Sequence, residues 1–128
     1  MSKKILLALF VLLIAYACTP FDSNKRNKEL IQHTWRQVEL VYPNQEGDSL
    51  ITERPKGLTT LIFDTDTCIE RLNDINTAIK YSYDIKDYVL KLEKDSANIN
   101  YLDIQKLTSD SLILHINYRL LKYIKKAD

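Results

Sequence analysis

The sequence predicts an all-β domain of about eight short antiparallel strands that close into an up-and-down barrel after a short helix. Apolar and polar residues alternate along most of the chain after residue 33, which is the period of a half-buried strand. Short clusters of Asp, Asn and Ser separate the alternating runs, and these residues form tight turns by bonding to nearby backbone. An antiparallel meander of this size removes its exposed edges by closing on itself.

The expected elements follow in chain order. Ser23 is positioned to cap a helix at about residues 24–32. The expected strands lie at about 38–42, 58–64, 68–72, 79–85, 88–92, 99–107, 112–116 and 118–124. A long loop is expected from Pro43 to Lys56, because this stretch holds most of the prolines. Tight turns are expected at 64–67, 86–87 and 108–110, with a bulge near Asn117.

A cystatin-like or other α+β fold is the competing architecture. Such a fold needs a long amphipathic helix packed on an open sheet. No run of that length follows residue 33, so the closed barrel remains the predicted fold.

The N-terminus has the pattern of an export signal. Two lysines precede an uncharged run from Ile5 to Ala17. As a helix this run spans roughly 20 Å, which is less than the ~30 Å hydrocarbon core of a bilayer. A positive segment, a short apolar segment and small residues before a cleavage point are typical of a secretory signal rather than a spanning helix.

The end of this run resembles the lipobox of bacterial lipoproteins. The stretch Ala15-Tyr16-Ala17-Cys18 has small residues before a cysteine, although that family most often has Leu in place of Ala15. The resemblance implies cleavage before Cys18, a diacylglycerol on its sulfur and acylation of the new amino group. The alternative is an ordinary secretory signal followed by a chance cysteine.

The resemblance divides the chain into a signal peptide at 1–17, a lipidated polar tether at 18–27 and a barrel domain at 28–125. It implies an outer-membrane protein anchored by lipid. Some Bacteroidota lipoproteins carry an acidic cluster after the cysteine that directs them to the cell surface. This chain offers only Asp22 there, so we expect the periplasmic side.

Composition excludes several classes of function. Without residues 1–17 the chain keeps 16 basic and 17 acidic residues, and no basic run suits nucleic acid. Cys68 is then the only unmodified cysteine, so no disulfide is expected. No motif for phosphate binding, for zinc or for a nucleophilic serine occurs. We expect no cofactor, no metal and no enzyme activity, and we expect a monomer.

A few residues are candidates for chemistry. Cys68 and His115 are a possible nucleophile–base pair, but Cys68 is better explained as a small strand residue. His33 and His115 could bind a metal with Cys68 or Asp64, but no ligand spacing supports such a site. The Asp64-x-Asp66 pattern lacks the rest of a calcium loop and is better explained as a hairpin turn.

The body of the chain resembles the small lipocalin-like lipoproteins of Bacteroidota. His33-Thr34-Trp35 stands where lipocalins carry Gly-x-Trp, and residues 104–114 are similar to that group's Ile-x-x-Leu-Thr hairpin. Because His33 replaces the glycine, its backbone must use ordinary dihedral angles or the register is shifted. The resemblance implies that Trp35 plugs one barrel end and that Arg119 stacks over it as a cation–π pair.

Such a barrel has an interior wide enough for side chains or for one small ligand. Tyr81, Tyr83, Tyr88 and Leu90 are the candidate lining of a ligand cup. The alternative is that these side chains fill the core. The two functional hypotheses are therefore a carrier of a small apolar ligand and an interaction module for another envelope protein.

Three Asp-Ser pairs resemble the acceptor for O-glycosylation used in Bacteroidota, in which an aliphatic residue follows the pair. The acceptor hydroxyls would be those of Ser49, Ser96 and Ser111. We expect all three in loops or turns, where Asp-Ser is also ordinary turn chemistry.

Overall fold

A computed structural model describes residues 23–55 and 59–127 of the 128. Within these residues, one helix, α1 (Ser23–Ile31), precedes nine strands. The strands are β1 (Thr34–Pro43), β2 (Leu50–Glu53), β3 (Thr59–Phe63), β4 (Thr67–Leu72), β5 (Thr77–Lys86), β6 (Val89–Asp95), β7 (Asn98–Leu107), β8 (Ser111–Ile116) and β9 (Arg119–Lys125).

Eight of the strands form a closed antiparallel barrel. Consecutive strands from β3 to β9 pair as hairpins, and β1 closes the ring by pairing with both β3 and β9. The register places Trp35 opposite Lys125 on one side and opposite Leu61 on the other. The predicted barrel is confirmed, and the ring leaves no open edge between its first and last strands.

The ninth strand was not predicted. β2 lies inside the stretch expected to be a loop from Pro43 to Lys56, and it pairs with the second half of β1. All four of its residues are exposed. Its sequence, Leu-Ile-Thr-Glu, does not alternate between apolar and polar residues. Such alternation is the pattern from which strands are predicted, so this strand gave no signal.

The helix begins one residue earlier than expected. Ser23 is its first residue, so residues 23–27, assigned from the sequence to the tether, belong to α1. Ile31 and Asn27 are its buried side chains. The Asn24 side chain accepts a hydrogen bond from the backbone N–H of Asp87 at 2.8 Å, which holds the helix against the β5–β6 turn.

The barrel has two different ends. We call the one covered by α1 the helix end, and it also carries the turns at 64–66, 87–88 and 108–110. We call the opposite one the loop end, and it carries the connections at 44–49, 73–76, 96–97 and 117–118.

The core follows the alternation that the sequence predicts. On β5, Tyr83 and Ile85 are buried while Lys80, Ser82 and Asp84 are exposed. The side chains with no exposed surface are Ile31, Trp35, Cys68, Leu90, Leu112 and Leu114. Their burial stabilises the domain, because each large apolar side chain removed from water contributes about 1.5–3 kcal/mol.

Two hairpins close through residues with positive φ. Asp87 and Tyr88 join β5 to β6, and Asn117 and Tyr118 join β8 to β9. Paired positive φ angles in a two-residue connection define a type I′ turn, which matches the twist of the strands. The bulge expected near Asn117 is therefore a turn, and the bulges lie at Gln37/Glu39, Glu93/Asp95 and Ile104/Lys106 instead.

Tyr118→Gly is expected to raise the free energy of unfolding by about 1 kcal/mol, because a side chain at positive φ is strained and glycine is not. Tyr118 is 82% exposed and lies at φ 65°, so little packing is lost. Urea denaturation measures the change. The matched control is Tyr101→Gly on strand β7, which should destabilise the protein. A Tyr118→Gly protein less stable than the wild type would contradict the strain argument.

Candidate functional site

The helix end is closed by Trp35. Its side chain has no exposed surface, and its indole N–H donates to the Ile31 carbonyl at 2.8 Å. The His33 ring meets the indole edge-on, with ring centroids 6.2 Å apart. His33 is absent from the residues with positive φ, so the backbone does use ordinary dihedral angles where lipocalins carry glycine.

The structure does not bring Trp35 and Arg119 together. Trp35 pairs with Lys125 at the helix end of β9, whereas Arg119 pairs with Ile116 at the loop end. Arg119 and Lys125 are six positions apart along the extended strand, or roughly 20 Å. The predicted cation–π pair is therefore not formed, because the register between β1 and β9 sets Arg119 on the opposite rim.

The predicted ligand lining is divided between two environments. Tyr83 and Leu90 are buried in the core near the helix end. The Tyr83 hydroxyl donates to the Asp64 carbonyl, and its ring packs edge-on against Phe63 at 5.1 Å. Tyr81 lies nearer the loop end and is only partly buried. Tyr83 and Leu90 therefore fill the barrel rather than line an open cup.

Tyr88 is not inside the barrel. The sequence predicts a turn at Lys86-Asp87 with Tyr88 pointing inward from the next strand. The turn is instead Asp87-Tyr88, and the Tyr88 side chain is 49% exposed. Tyr88 belongs to the turn at positive φ and not to β6, so it does not continue the inward alternation of Leu90 and Leu92.

A small polar cluster lies inside the barrel on the loop-end side. Glu70 pairs with Leu61 and Ile79, which places its carboxylate on the inner face. Burial raises its pKa, and the Tyr81 hydroxyl, 3.5 Å from Oε1, opposes that shift. Burial also raises the pKa of Tyr123, with a smaller contribution from the Glu70 charge. The interior is therefore apolar at the helix end and mixed towards the loop end.

The residues weighed for catalysis do not meet. Cys68 points into the core, whereas His115 faces outward and lies 3.7 Å from the Asp103 carboxylate. His33 packs on Trp35. Within residues 23–55 and 59–127, no group of three or more His, Cys, Asp or Glu side chains is arranged to hold a metal ion.

Cys68 is expected to resist alkylation in the folded protein. Its side chain has no exposed surface, and burial raises the pKa of the thiol to about 12, so almost no thiolate is present at pH 8. Iodoacetamide labelling, followed by mass spectrometry in a Cys18→Ser background, measures the rate. Labelling should become fast in urea above the unfolding midpoint. Rapid labelling of the native chain would show that the interior is open.

The described residues form grooves on the outer wall of the barrel. One lies on β5, β6 and β7 and mixes charges of both signs, from Asp84, Lys86, Asp87 and Lys91. A second lies on β1, β3 and β4 and contains Arg71 and Lys126. A third, of about 410 Å³, is mainly apolar and lies between the β1–β2 hairpin and the β8–β9 hairpin.

The apolar groove is lined by Val41, Pro43, Leu50, Tyr118 and Leu120, with His115 and Gln105 at its border. Leu50 and Tyr118 are 71% and 82% exposed. An exposed apolar patch with a polar border is typical of a surface that binds another molecule.

The groove lies beside a free strand edge. β2 ends the order of strands, and among the described residues it pairs with β1 alone. The Asn44 N–H donates to the Ser49 carbonyl at 2.9 Å, so these two residues form a hydrogen-bonded pair. Bonded and non-bonded pairs alternate along an antiparallel hairpin, so Leu50 and Thr52 stand in non-bonded pairs with β1. The backbone groups of Leu50 and Thr52 therefore point away from β1. They are available to a further strand.

The three predicted glycosylation serines have different positions. Ser49 and Ser96 are exposed in connections at the loop end. Ser111 is instead the first residue of β8, is half-buried, and accepts a backbone hydrogen bond from Thr108. Ser111 is therefore less accessible than the turn position expected from the sequence.

Cys18 and the signal segment lie outside the described residues. In the part of the chain that is described, no helix is both long and apolar enough to cross a membrane.

The fold can now be compared with known proteins. No protein-family model matches the chain, and no curated protein sequence matches it significantly. The chain is similar to a solved lipocalin-like protein from Bacteroides uniformis ATCC 8492, with 13% identity and a TM-score of 0.58, over 76% of this chain and 99% of that one. It is also similar to an uncharacterized protein from Bacteroides eggerthii DSM 20697, with 12% identity and a TM-score of 0.59, over 73% and 98%.

These similarities define the class of fold. The chain is a lipocalin-like barrel, as the sequence resemblance implied.

Sequence reasoning missed both the free edge of β2 and the apolar groove. Leu50 and Tyr118 are far apart in the sequence, and the pairing of β1 with β9 brings their hairpins together. A hint was available in Tyr118, because a large aromatic residue is unusual in the second position of a type I′ turn, where glycine is preferred.

Proposed function

We propose that this protein is a lipid-anchored, non-catalytic lipoprotein of the cell envelope that binds an extended segment of another envelope protein. It sits as a monomer on the periplasmic side of the outer membrane, held by acyl chains on Cys18. The observation that carries the proposal is the free edge of β2 beside the apolar groove.

The anchor sets the orientation of the barrel. Four residues lie between Cys18 and Ser23, the first residue of α1, and the five Cα–Cα steps span at most about 18 Å. The helix end is therefore held near the membrane. The loop end, with β2 and the apolar groove, points away from it towards other proteins.

The filled core supports a binding surface outside the barrel. Trp35, Leu90, Leu112 and Leu114 have no exposed surface, and the apolar groove lies on the outer wall. A partner strand would bond to the outward groups of Leu50 and Thr52. Its outer-face side chains would pack against the exposed Leu50 side chain, which also borders the groove, as in recognition by strand addition.

The test removes a backbone N–H that would donate a hydrogen bond to the partner strand. Thr52→Pro removes an N–H that points away from β1, so the β1–β2 hairpin keeps its own bonds. Thr52→Ala is the matched control, because it keeps the N–H. Photo-crosslinkers at Leu50 and, as a control site, at Tyr101 are activated in intact cells.

We expect one protein adduct from Leu50 and none from Tyr101. The adduct should be lost in Thr52→Pro and kept in Thr52→Ala. Equal adducts from Leu50 and Tyr101, or an adduct unaffected by proline, would contradict strand addition.

A carrier of a small apolar ligand is the second candidate. Inward-facing residues near the loop end, such as Ile79, Tyr81 and Glu70, remain partly exposed, unlike those at the helix end. Native mass spectrometry of protein purified from its own membranes tests this candidate. A bound small molecule that is lost in Tyr81→Ala would favour the carrier, and a mass of lipid plus polypeptide alone would exclude both a ligand and O-linked sugars.

A further inference from the structure

We propose that the outer wall of β1, β3 and β4 carries a binding site for a phosphate-type oxyanion. The site is the second groove, of about 450 Å³, which we call the cationic groove. Its polar lining consists of Thr34, Thr60, Arg71, Asn73 and Lys126, and none of its lining residues is acidic.

The strand register concentrates positive charge around Thr60. Arg36 on β1 lies opposite Thr60, and Thr60 lies opposite Arg71 on β4. Directly opposite residues have Cβ atoms about 4.5–5.5 Å apart, so Arg36 and Arg71 project from the outer face on either side of Thr60. Lys126 brings a further positive charge to the same groove. It is held there because its backbone N–H donates to the Thr34 carbonyl at 2.8 Å.

These positive charges have no carboxylate partners in the described part of the chain. The ion pairs of Glu39 with Arg54 and Lys122, and of Asp103 with His115, do not involve the residues of the groove. Glu39 is the only acidic residue of β1, and it is already shared by two cations. The charges of Arg71 and Lys126 are therefore available to an anion from outside.

Hydrogen-bond donors complete the groove. Thr60 is 8% exposed and accepts a bond from the Asn73 amide at 3.3 Å, which leaves its own hydroxyl proton for another acceptor. Arginine presents a planar set of donors that fits phosphate in a bidentate manner, and lysine adds a point charge. The chemistry of the groove therefore fits a phosphate group, either free or carried by a lipid headgroup.

The test is isothermal titration of the full exported chain in detergent, with two probes. The probes are inorganic phosphate and dihexanoyl phosphatidylglycerol, a soluble lipid with a phosphodiester headgroup. We expect saturable binding of at least one probe. Binding should weaken about tenfold or more in Arg71→Gln/Lys126→Gln, because bonds to charged groups are lost.

Two controls separate this site from general surface charge. Lys80→Gln removes an exposed charge from the outer face of β5, outside the groove, and should bind the probes like the wild type. Arg71→Lys keeps the charge but loses the bidentate geometry, so it should bind with intermediate affinity.

The outcomes assign the source of the phosphate. Tighter binding of phosphatidylglycerol than of phosphate supports a headgroup, and the reverse supports a free phosphate. Absence of saturable binding to both probes would overturn the proposal. Equal weakening by Lys80→Gln and by the groove double variant would also overturn it. Failure of phosphate binding would leave the proposed strand addition at β2 unaffected, because strand addition is tested separately by crosslinking.

Discussion

Trp35→Ala is expected to lower the free energy of unfolding by about 3–5 kcal/mol, which is the usual cost of truncating a fully buried Trp. Trp35 has no exposed surface, joins β1 to α1 through its bond to Ile31, and contacts the His33 ring. Its loss opens a cavity between the helix and the barrel. Because Trp35 is the only tryptophan, urea unfolding must be followed by circular dichroism rather than fluorescence.

Two variants calibrate this result. Trp35→Phe keeps most of the ring volume but removes the N–H, and it should cost about 1–2 kcal/mol. The Ile31 carbonyl keeps a second donor in that variant, the His33 N–H at 2.7 Å. Tyr101→Ala removes an exposed aromatic ring and should change stability little. A Trp35→Ala protein within about 1 kcal/mol of the wild type would contradict the proposed closure of the helix end.

Cys18→Ser is expected to abolish lipid attachment completely. A thioether to diacylglycerol needs the cysteine sulfur, and the serine hydroxyl does not replace it. Growth with an alkyne fatty acid, followed by click labelling of the purified protein, measures attachment directly. The wild-type chain should also begin at residue 18 by mass, with acyl chains in place of residues 1–17.

The chain contains its own control for that experiment. Cys68→Ser changes the other cysteine, which lies in the core, and should leave the fatty-acid label unchanged. Label that persists in Cys18→Ser, or a wild-type chain that keeps Met1, would remove the anchor from the proposed function. The barrel itself would be unaffected.

The sequence was sufficient to predict the barrel because its signals are local. Alternation on β5 places Tyr83 and Ile85 inside and Lys80 outside, as observed. The positions of the other ring strands were also predicted to within a few residues, because Asp, Asn and Ser mark the turns.

One error was local: the β5–β6 turn was predicted one residue too early, so Tyr88 was expected inside the barrel although it lies in the turn. The other errors arose where the answer depends on pairing between distant segments. The Trp35–Arg119 pair failed because antiparallel pairing puts Trp35, near the start of β1, opposite the end of β9, whereas Arg119 is the first residue of β9. The cationic groove joins residues 34, 60, 71 and 126, and nothing in the sequence shows that these positions share a wall.

The pairing of β1 with β9 has a consequence for biogenesis. The seam of the ring is made by the first and last strands of the domain, so it cannot form until the whole chain has been delivered. Contacts between such distant segments form slowly during folding. In the proposed function the chain is threaded unfolded across the inner membrane, and its ring would then stay incomplete until translocation ends.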